Sequence, residues 1–318
     1  MIGFDIGGTK CAVSIGWEEQ GELQILNKKK ISTKHTVSPY EMIDEMCALA
    51  EEMTDDFSAI GISCGGPLDS KQGIILSPPN LPGWDEVRIV DYLKNRYGGK
   101  VALVNDANAC ALAEWRYGAG KGTQNMIFLT FGSGMGAGLI LDGRLYAGSC
   151  DMAGEVGHIR LSEYGHVGYG KMGSFEGFCS GNGIAALGRL LAEEQLQMGR
   201  SVSYCKNVSE LSEVTAKSIA EYAKKGYTDA QKVYEICGRK LGLGISILID
   251  VLNPEMVVVG SVYERSKELL KDYMEEVLER ECLSLSRKTC RIVPAALGDQ
   301  IGDYAALSIA AMVKENKL

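Results

Sequence analysis

The chain is short of positive charge. Its 318 residues carry 33 Lys and Arg against 41 Asp and Glu, a formal net charge of −8. A nucleic-acid partner wants a basic face, so that class is set aside. An anionic ligand would have to be held by local amides or a metal rather than by the field of the whole molecule. Histidine is scarce, three residues in all, so a histidine inside a motif draws notice. None of the 10 cysteines forms a C-x-x-C pair, and Cys47, Cys110 and Cys237 lie in apolar runs. They read as small buried hydrophobes of a reducing compartment rather than as a disulfide framework. No stretch approaches the ~18 uninterrupted apolar residues of a membrane span. The opening M-I-G-F-D-I-G-G-T-K lacks the basic start and apolar core of a signal peptide. The expectation is a cytoplasmic enzyme of about two domains, with no membrane or nucleic-acid partner.

Glycine, by contrast, is plentiful: 39 residues, and they cluster. I-G-F-D-I, G-G-T-K and C-A-V-S-I read as two short strands around a Gly-rich turn, with a third strand within 17–30. Ser38-Pro39-Tyr40-Glu41 is a capping box with Pro at the first helical position, and Ile43, Met46, Cys47, Ala50 and Met53 follow at helical spacing. Ala59–Cys64 is a strand running into Gly65-Gly66-Pro67, and 74–84 is a proline-braced loop carrying Asn80. A helix over 88–97 precedes V-A-L-V-N-D-A-N-A-C-A-L-A-E (101–114), a buried strand feeding a helix with Asn105 and Asp106 at the strand's carboxyl end. Ligands of open α/β sheets bind at that edge. Asp106 also suits a helix N-cap, so both roles stay open from these residues.

A first domain over 1–117 and a second over 118–298 are expected, with a last helix, about 299–318, packing back on the first. In the second, Met126–Phe131 and Leu139–Leu141 flank G-S-G-M-G-A-G, and Cys150–Ile184 is glycine-dense with little helical periodicity apart from short strands such as 158–161. Helices are predicted over 215–225, 229–251 and 264–279, with strands at 256–260 and 291–294. F-D-I-G-G-T-K-C-A-V-S-I and L-T-F-G-S-G-M-G-A-G-L-I-L share one design, strand, Gly-hydroxyl turn, strand. That echo predicts two related α/β domains facing a cleft, each offering a loop to a polyphosphate.

In the first loop, Gly7 and Gly8 would let backbone amides form an anion nest, with Thr9 and Lys10 adding contacts and Asp5 ordering metal-bound water. The G-x-x-x-x-G-K-[ST] spacing of a P-loop is absent, and a plain hairpin turn is the competing reading. The second loop carries Gly132, Ser133, Gly134, Gly136 and Gly138. Alternating glycines weaken a strand by roughly 0.5–1 kcal/mol each, and close approach to a ligand is the usual reason to keep them. Glu155 and His158 would serve as a metal pair, a sugar-hydroxyl clamp or a satisfied core pair, with Glu176 downstream.

The ordered set D-I-G-G-T-K, G-G-P-L-D, P-N-L-P-G-W, N-D-A-N-A, F-G-S-G-M-G-A-G, A-G-E-V-G-H and G-x-x-G-x-x-E resembles the ROK family of bacterial sugar kinases, of the actin-like ATPase (ribonuclease H-like) fold, over Ile2 to about Ala311. The resemblance implies a glucokinase-like hexose kinase using ATP and Mg²⁺, cytoplasmic and homodimeric. Phosphate contacts fall on Asp5, Gly7, Gly8, Thr9, Lys10, Gly132, Ser133, Gly134 and Gly136. Sugar contacts fall on Gly66, Asn80, Asn105, Asp106, Glu155, His158 and Glu176, with Asp106 as general base. Adenosine contacts fall near Gly260, where V-V-V-G-S-V departs from the family's run of glycines. The Mg²⁺ would be held mainly by ATP and water.

A second departure concerns zinc. Many members read C-x-C-G-x-x-G-C-x-E here, and the three cysteine positions are Val167, Tyr169 and Ser174. Such a site needs four ligands, mostly S or N, so no structural zinc is expected. Val167 and Tyr169 are expected to hold the loop by packing, and His158 to serve the sugar alone. The competing function is a sugar-binding regulator or sensor. The repressors of the family need a DNA-binding module ahead of the first loop, which here starts at residue 5.

Overall fold

The computed structural model describes all of residues 1–318. In chain order it opens with β1 (Ile2–Ile6), β2 (Lys10–Glu19), β3 (Glu22–Ser32) and α1 (Pro39–Glu51). Then come β4 (Ala59–Cys64), β5 (Leu68–Asp69), β6 (Ile74–Ile75), α2 (Ile89–Tyr97), β7 (Lys100–Asn105) and α3 (Asp106–Tyr117). The middle of the chain forms β8 (Met126–Leu129), β9 (Ala137–Leu141), β10 (Arg144–Leu145), β11 (Val167–Gly168), β12 (Lys171–Met172) and α4 (Phe175–Phe178). It continues through α5 (Gly181–Gln197), α6 (Ala216–Lys224), α7 (Thr228–Leu252), β13 (Met256–Val259) and α8 (Val262–Glu281). The last elements are α9 (Ser284–Thr289), β14 (Arg291–Pro294) and α10 (Ile301–Lys314). One five-stranded sheet has the order β3-β2-β1-β4-β7 and another β10-β9-β8-β13-β14.

By contact density the chain forms two compact units: 1–124 with 138–154 and 296–318, and 125–137 with 155–295. Where the sequence suggested one boundary near residue 118 and a return near 299, the chain also passes back into the first unit over 138–154. The reason is local: a side chain at Gly138 would land on Ala111 and on the Ala107 carbonyl, so this strand lies directly on α3.

In the first unit β1, β4 and β7 run parallel, with Ile6 opposite Cys64 and Cys64 opposite Asn105, so three carboxyl ends come level. Buried Ile2, Phe4, Ile60, Ile62, Leu103, Met46 and Cys47 share the core beneath them. The predicted capping box of α1 forms, Ser38 Oγ accepting from Glu41 N at 3.2 Å and Glu41 Oε2 accepting from Ser38 N at 2.7 Å. Helix α10 presses its backbone on β1 and β4, where a Cβ at Gly3 would stand 2.8 Å from Ala306 Cβ and one at Gly61 would strike the Ala306 carbonyl. Leu307, Ala310 and Ala311 of α10 share an apolar cluster with Met1, Leu23 and Ala59.

In the second unit β8, β13 and β14 run parallel, Val257 standing opposite both Ile127 and Ile292. Helices α7 and α8 pack through glycines: a Cβ at Gly238 would lie 2.8 Å from Leu270 O and one at Gly242 2.6 Å from Met274 O. Two local expectations fail here. Residues 158–161 form no strand; Val156–His158 is a single 3₁₀ turn, and only Arg160 makes a bridge, to Ser174. Helix α5 begins inside the glycine-dense segment, because Ser180 caps it (Gly183 N to Ser180 Oγ, 2.9 Å) and Ile184, Ala185 and Leu187 are buried. Of the cysteines, Cys150 is exposed and Cys110 and Cys282 partly so, the others being buried.

Candidate functional site

The candidate residues fall into two groups, one in each unit. In the first unit they gather at the level carboxyl ends of β1, β4 and β7. Asp5 lies one residue from the end of β1, Gly65 and Gly66 follow β4, and Asn105 ends β7. Gly8 packs against the braced loop, where a side chain would land on Asn80 O. The loop is held by Leu81 N to Pro78 O (2.9 Å) and Ser77 N to Trp84 O (3.0 Å). A Cβ at Gly66 would sit 3.3 Å from Asn105 Nδ2, and one at Gly65 3.9 Å from Asp106 Oδ2. Asp5, Gly8, Gly66, Asn80, Asn105 and Asp106 thus come together from four separate stretches.

The first turn departs from the expected nest. Neither Gly7 nor Gly8 takes a positive φ. Gly7 N donates to Lys10 O at 3.2 Å and closes the turn, and Gly7 O accepts from Thr33 Oγ1 at 2.6 Å. Gly8 is needed for the approach of the Asn80 backbone, not for a left-handed conformation. Thr9 and Lys10 are exposed at the tip.

The cap at α3 is also reassigned. Asn105 is the N-cap, its Oδ1 accepting from Ala107 N at 3.0 Å and Asn108 N at 3.5 Å. Asp106 stands one residue inside the helix, accepting from Ala107 N at 2.8 Å through Oδ1, and its side chain reaches solvent. Asn105 carries the cap, so Asp106 keeps its second oxygen for other work. Surrounding protein desolvates the Asp106 carboxylate and raises its pKa, against backbone hydrogen bonds that lower it. Burial is also the main force on Asp5, pushing it up to about 6, with the charges of Asp106 and Asp303 adding to it. Asp303, buried in the first turn of α10, accepts from Ser14 Oγ at 2.8 Å and pairs with Lys28. One further carboxylate escaped the sequence reading. Glu114 is fully buried at the end of α3 and accepts from the amides of Ala119 (2.8 Å), Ala296 (2.9 Å) and Leu297 (2.9 Å). Its only sequence signal was a charge on the apolar face of an Ala-rich helix.

In the second unit the glycine loop after β8 folds on itself. Thr130 N donates to Gly136 O at 3.0 Å, Gly136 N to Thr130 Oγ1 at 2.9 Å and Gly132 N to Gly134 O at 3.1 Å. Met135 N donates to Glu176 Oε2 at 2.9 Å, and a Cβ at Gly134 would meet the same oxygen at 2.8 Å. Gly134 is therefore explained by Glu176 and Gly138 by α3, whereas a Cβ at Gly132 would meet nothing within 4 Å. The start of α5 abuts the loop, Gly181 N donating to Gly132 O at 2.7 Å. Ser133 points outward, exposed. Glu155 and His158 flank the 3₁₀ turn, joined by His158 N to Glu155 O at 3.1 Å, and both are exposed, which excludes a core pair. Gly157 brings this turn against the loop: a Cβ there would strike Met135 O and stand 3.2 Å from Glu176 Cβ. Ser133, Gly134, His158 and Glu176 thus form one neighbourhood. Gly260 is buried at the end of β13, and Ser261 after it takes φ +52, the backbone region a glycine there would adopt freely. Ser261 N donates to Glu264 Oε1 at 2.6 Å at the start of α8.

The positions that would hold zinc do not fit it. Val167 and Tyr169 are 61% and 74% exposed, so they do not hold the loop by packing as expected. Ser174 Oγ is buried and committed, accepting from Gly177 N at 3.1 Å as the cap of α4. Cys179, the nearby thiol, is buried with its Sγ 4.0 Å from that of Cys237.

The chain is similar to several known proteins along most of its length. The glucokinase of Thermotoga maritima is 30% identical over 312 residues, 97% of this chain and 96% of that one. A xylose repressor of Caldicellulosiruptor bescii is 27% identical over 308 residues, 94% of this chain and 75% of the repressor. A ROK family glucokinase from Streptomyces griseus, solved in complex with glucose and AMPPNP, superposes with a TM-score of 0.76 at 29% identity, covering 98% of this chain and 99% of that one. The fold is that of the actin-like ATPases. The profile of the ROK family matches residues 1–313, and the chain belongs to that family.

Proposed function

We propose that the chain is an ATP-dependent hexose kinase, glucokinase-like, with Asp106 as general base. The observation that carries this is Asp106 itself: a solvent-reaching carboxylate at the end of β7, its pKa raised by desolvation and its capping duty taken by Asn105. A base works best when its pKa approaches the working pH, and the shift moves Asp106 that way. Asp106 takes the proton of a sugar hydroxyl while that oxygen bonds to the γ-phosphorus and the bond to the leaving ADP oxygen breaks. The transition state is loose, so positioning and charge stabilisation supply most of the rate. Gly66, Asn80, Asn105, Glu155, His158 and Glu176 orient the ring. The turns at Gly7–Lys10 and Gly132–Gly136 meet the phosphates, and the strained Gly260–Ser261 turn meets the nucleoside. Mg²⁺, when bound, would supply neutralising charge at the phosphates. Asp5 suits a water-mediated contact to it, since a cation relieves the mutual repulsion of Asp5, Asp106 and Asp303. No structural zinc takes part. The protein works in the cytoplasm as a homodimer; none of its helices is long and apolar enough to cross a membrane.

Initial rates of ADP release across a panel of hexoses test the reading. Glucose is expected to stimulate release, and Asp106→Asn to lose roughly 10²–10⁴-fold in turnover while still binding glucose. Near-normal turnover in that variant would sink the base assignment. Glucose binding without any sugar-stimulated release would favour a sensor, and release with a different alcohol alone would overturn the hexose.

A further inference from the structure

The 3₁₀ turn that carries His158 is tied to the hairpin of β11 and β12 by a ladder that stops one residue short of it. Phe175 N donates to Ile159 O at 2.8 Å and Leu161 N to Gly173 O at 2.8 Å, with Arg160 bridged to Ser174. The ladder needs Gly173, where a side chain would strike Ser162 O. Two cations then cross the seam in opposite directions. Lys171 Nζ, on the hairpin, donates to His158 O at 2.7 Å, and Arg160 Nη1, beyond the turn, donates to Met172 O at 2.7 Å. The carbonyl of His158 ends the turn, where a backbone acceptor lacks its helical partner and a cation is favoured. Alternation along β12 puts Lys171 on the face of Gly168, opposite Val167 and Met172. That face is the one pressed inward: a Cβ at Gly168 would stand 2.6 Å from Gly177 N.

We infer that Lys171 is a positioning residue for sugar binding: its ammonium, on a seam also crossed by the Arg160 guanidinium, carries the ladder onto the His158 carbonyl and fixes, without a metal, the turn that lies beside Glu176. The inference rests on the kinase reading, in which His158 and Glu176 hold the sugar. At the positions where the resemblance implies zinc-binding thiolates this chain has Val167, Tyr169 and Ser174, and charge-assisted hydrogen bonds between side chain and backbone hold the turn instead.

Lys171→Met keeps the apolar stem and removes the charge. The expected result is a rise of about three- to tenfold in KM for the sugar, from the loss of one charge-assisted hydrogen bond at an exposed site. Turnover at saturating sugar stays within about twofold and the thermal midpoint is unchanged, while Lys171→Arg restores most of the affinity. A second readout needs no activity. The three histidines give a simple imidazole NMR spectrum, and Lys171→Met is expected to move the His158 resonance while His35 stays in place. An unmoved His158 resonance overturns the brace, as does an unchanged KM in a wild type that uses sugar. A KM rise accompanied by a lower thermal midpoint and no rescue by arginine marks a merely structural lysine and overturns it too. If the wild type phosphorylates no sugar, the kinase reading falls, and the resonance still decides the brace.

Discussion

Asp5 carries a charge that the fold resists. Burial, Asp106 and Asp303 push its pKa from 3.8 up to about 6. A carboxyl raised in this way binds more protons folded than unfolded between those two values. Its contribution to stability is therefore fully present below pH 3.8 and is lost as the pH rises through 6. Near neutral pH the ionised Asp5 costs about 1–2 kcal/mol once solvent screening is allowed for. Asp5→Asn removes the charge and keeps the shape. Urea unfolding should find the variant more stable than the wild type by that amount at pH 7 and no more stable at pH 3.5, while kinase activity falls. An equal difference at both pH values would show that the charge is not the cause. Strain of this kind is expected where function, rather than stability, selected the residue.

At the scale of elements, α3 joins two tasks. Its first turn presents Asp106, and its last turn anchors the returning chain through Glu114, whose carboxylate gathers the amides of Ala119, Ala296 and Leu297. Three backbone donors converge on one buried carboxylate, so the contact forms or fails as a unit. Glu114→Ala should cost about 1–3 kcal/mol, because it takes the shared acceptor from three part-buried amides. Glu114→Gln, which keeps one acceptor oxygen, should cost less. Chemical denaturation with an unchanged m-value is the measurement, and a loss under about 0.5 kcal/mol for Glu114→Ala would refute the anchor. The chain returned by this anchor is α10, whose Gly302 lies against Asp5: a Cβ there would stand 3.1 Å from Asp5 Oδ2. The same helix supplies Asp303, so the contact at the far end of α3 and the environment of Asp5 are linked through one element.

At the scale of the whole molecule, the absence of thiolates at 167, 169 and 174 predicts an enzyme indifferent to zinc. Elemental analysis of purified protein should find far less than one zinc per chain. Dialysis against a zinc-selective chelator should leave both the thermal midpoint and sugar-stimulated ADP release unchanged, since a metal that binds only the folded state would otherwise show as a loss of stability. Stoichiometric zinc would overturn the assignment of that loop.

What the sequence by itself determined lies wherever a local pattern leaves few alternatives. The apolar run before Asn105 and the Ala-rich run after it imply a strand, a helix and two side chains at the join, and both side chains stand there. The box at Ser38 and Glu41 forms as its spacing predicts, because capping involves only neighbours in the chain. Tertiary structure decided what depends on residues far apart. Asn105 rather than Asp106 became the cap because the join is placed by β7 in its sheet. Gly8 and Gly134 proved to make room for Asn80 and Glu176, partners many residues away, which a count of glycines cannot reveal. Helix α5 formed in a glycine-rich segment because buried Ile184, Ala185 and Leu187 outweigh the poor propensity of its first turn. The burial that raises Asp5 and Asp106, the three amides on Glu114 and the reach of Lys171 to His158 are all long-range. Local sequence chooses among a few backbone shapes, whereas desolvation and hydrogen-bond partners exist only once distant segments have met.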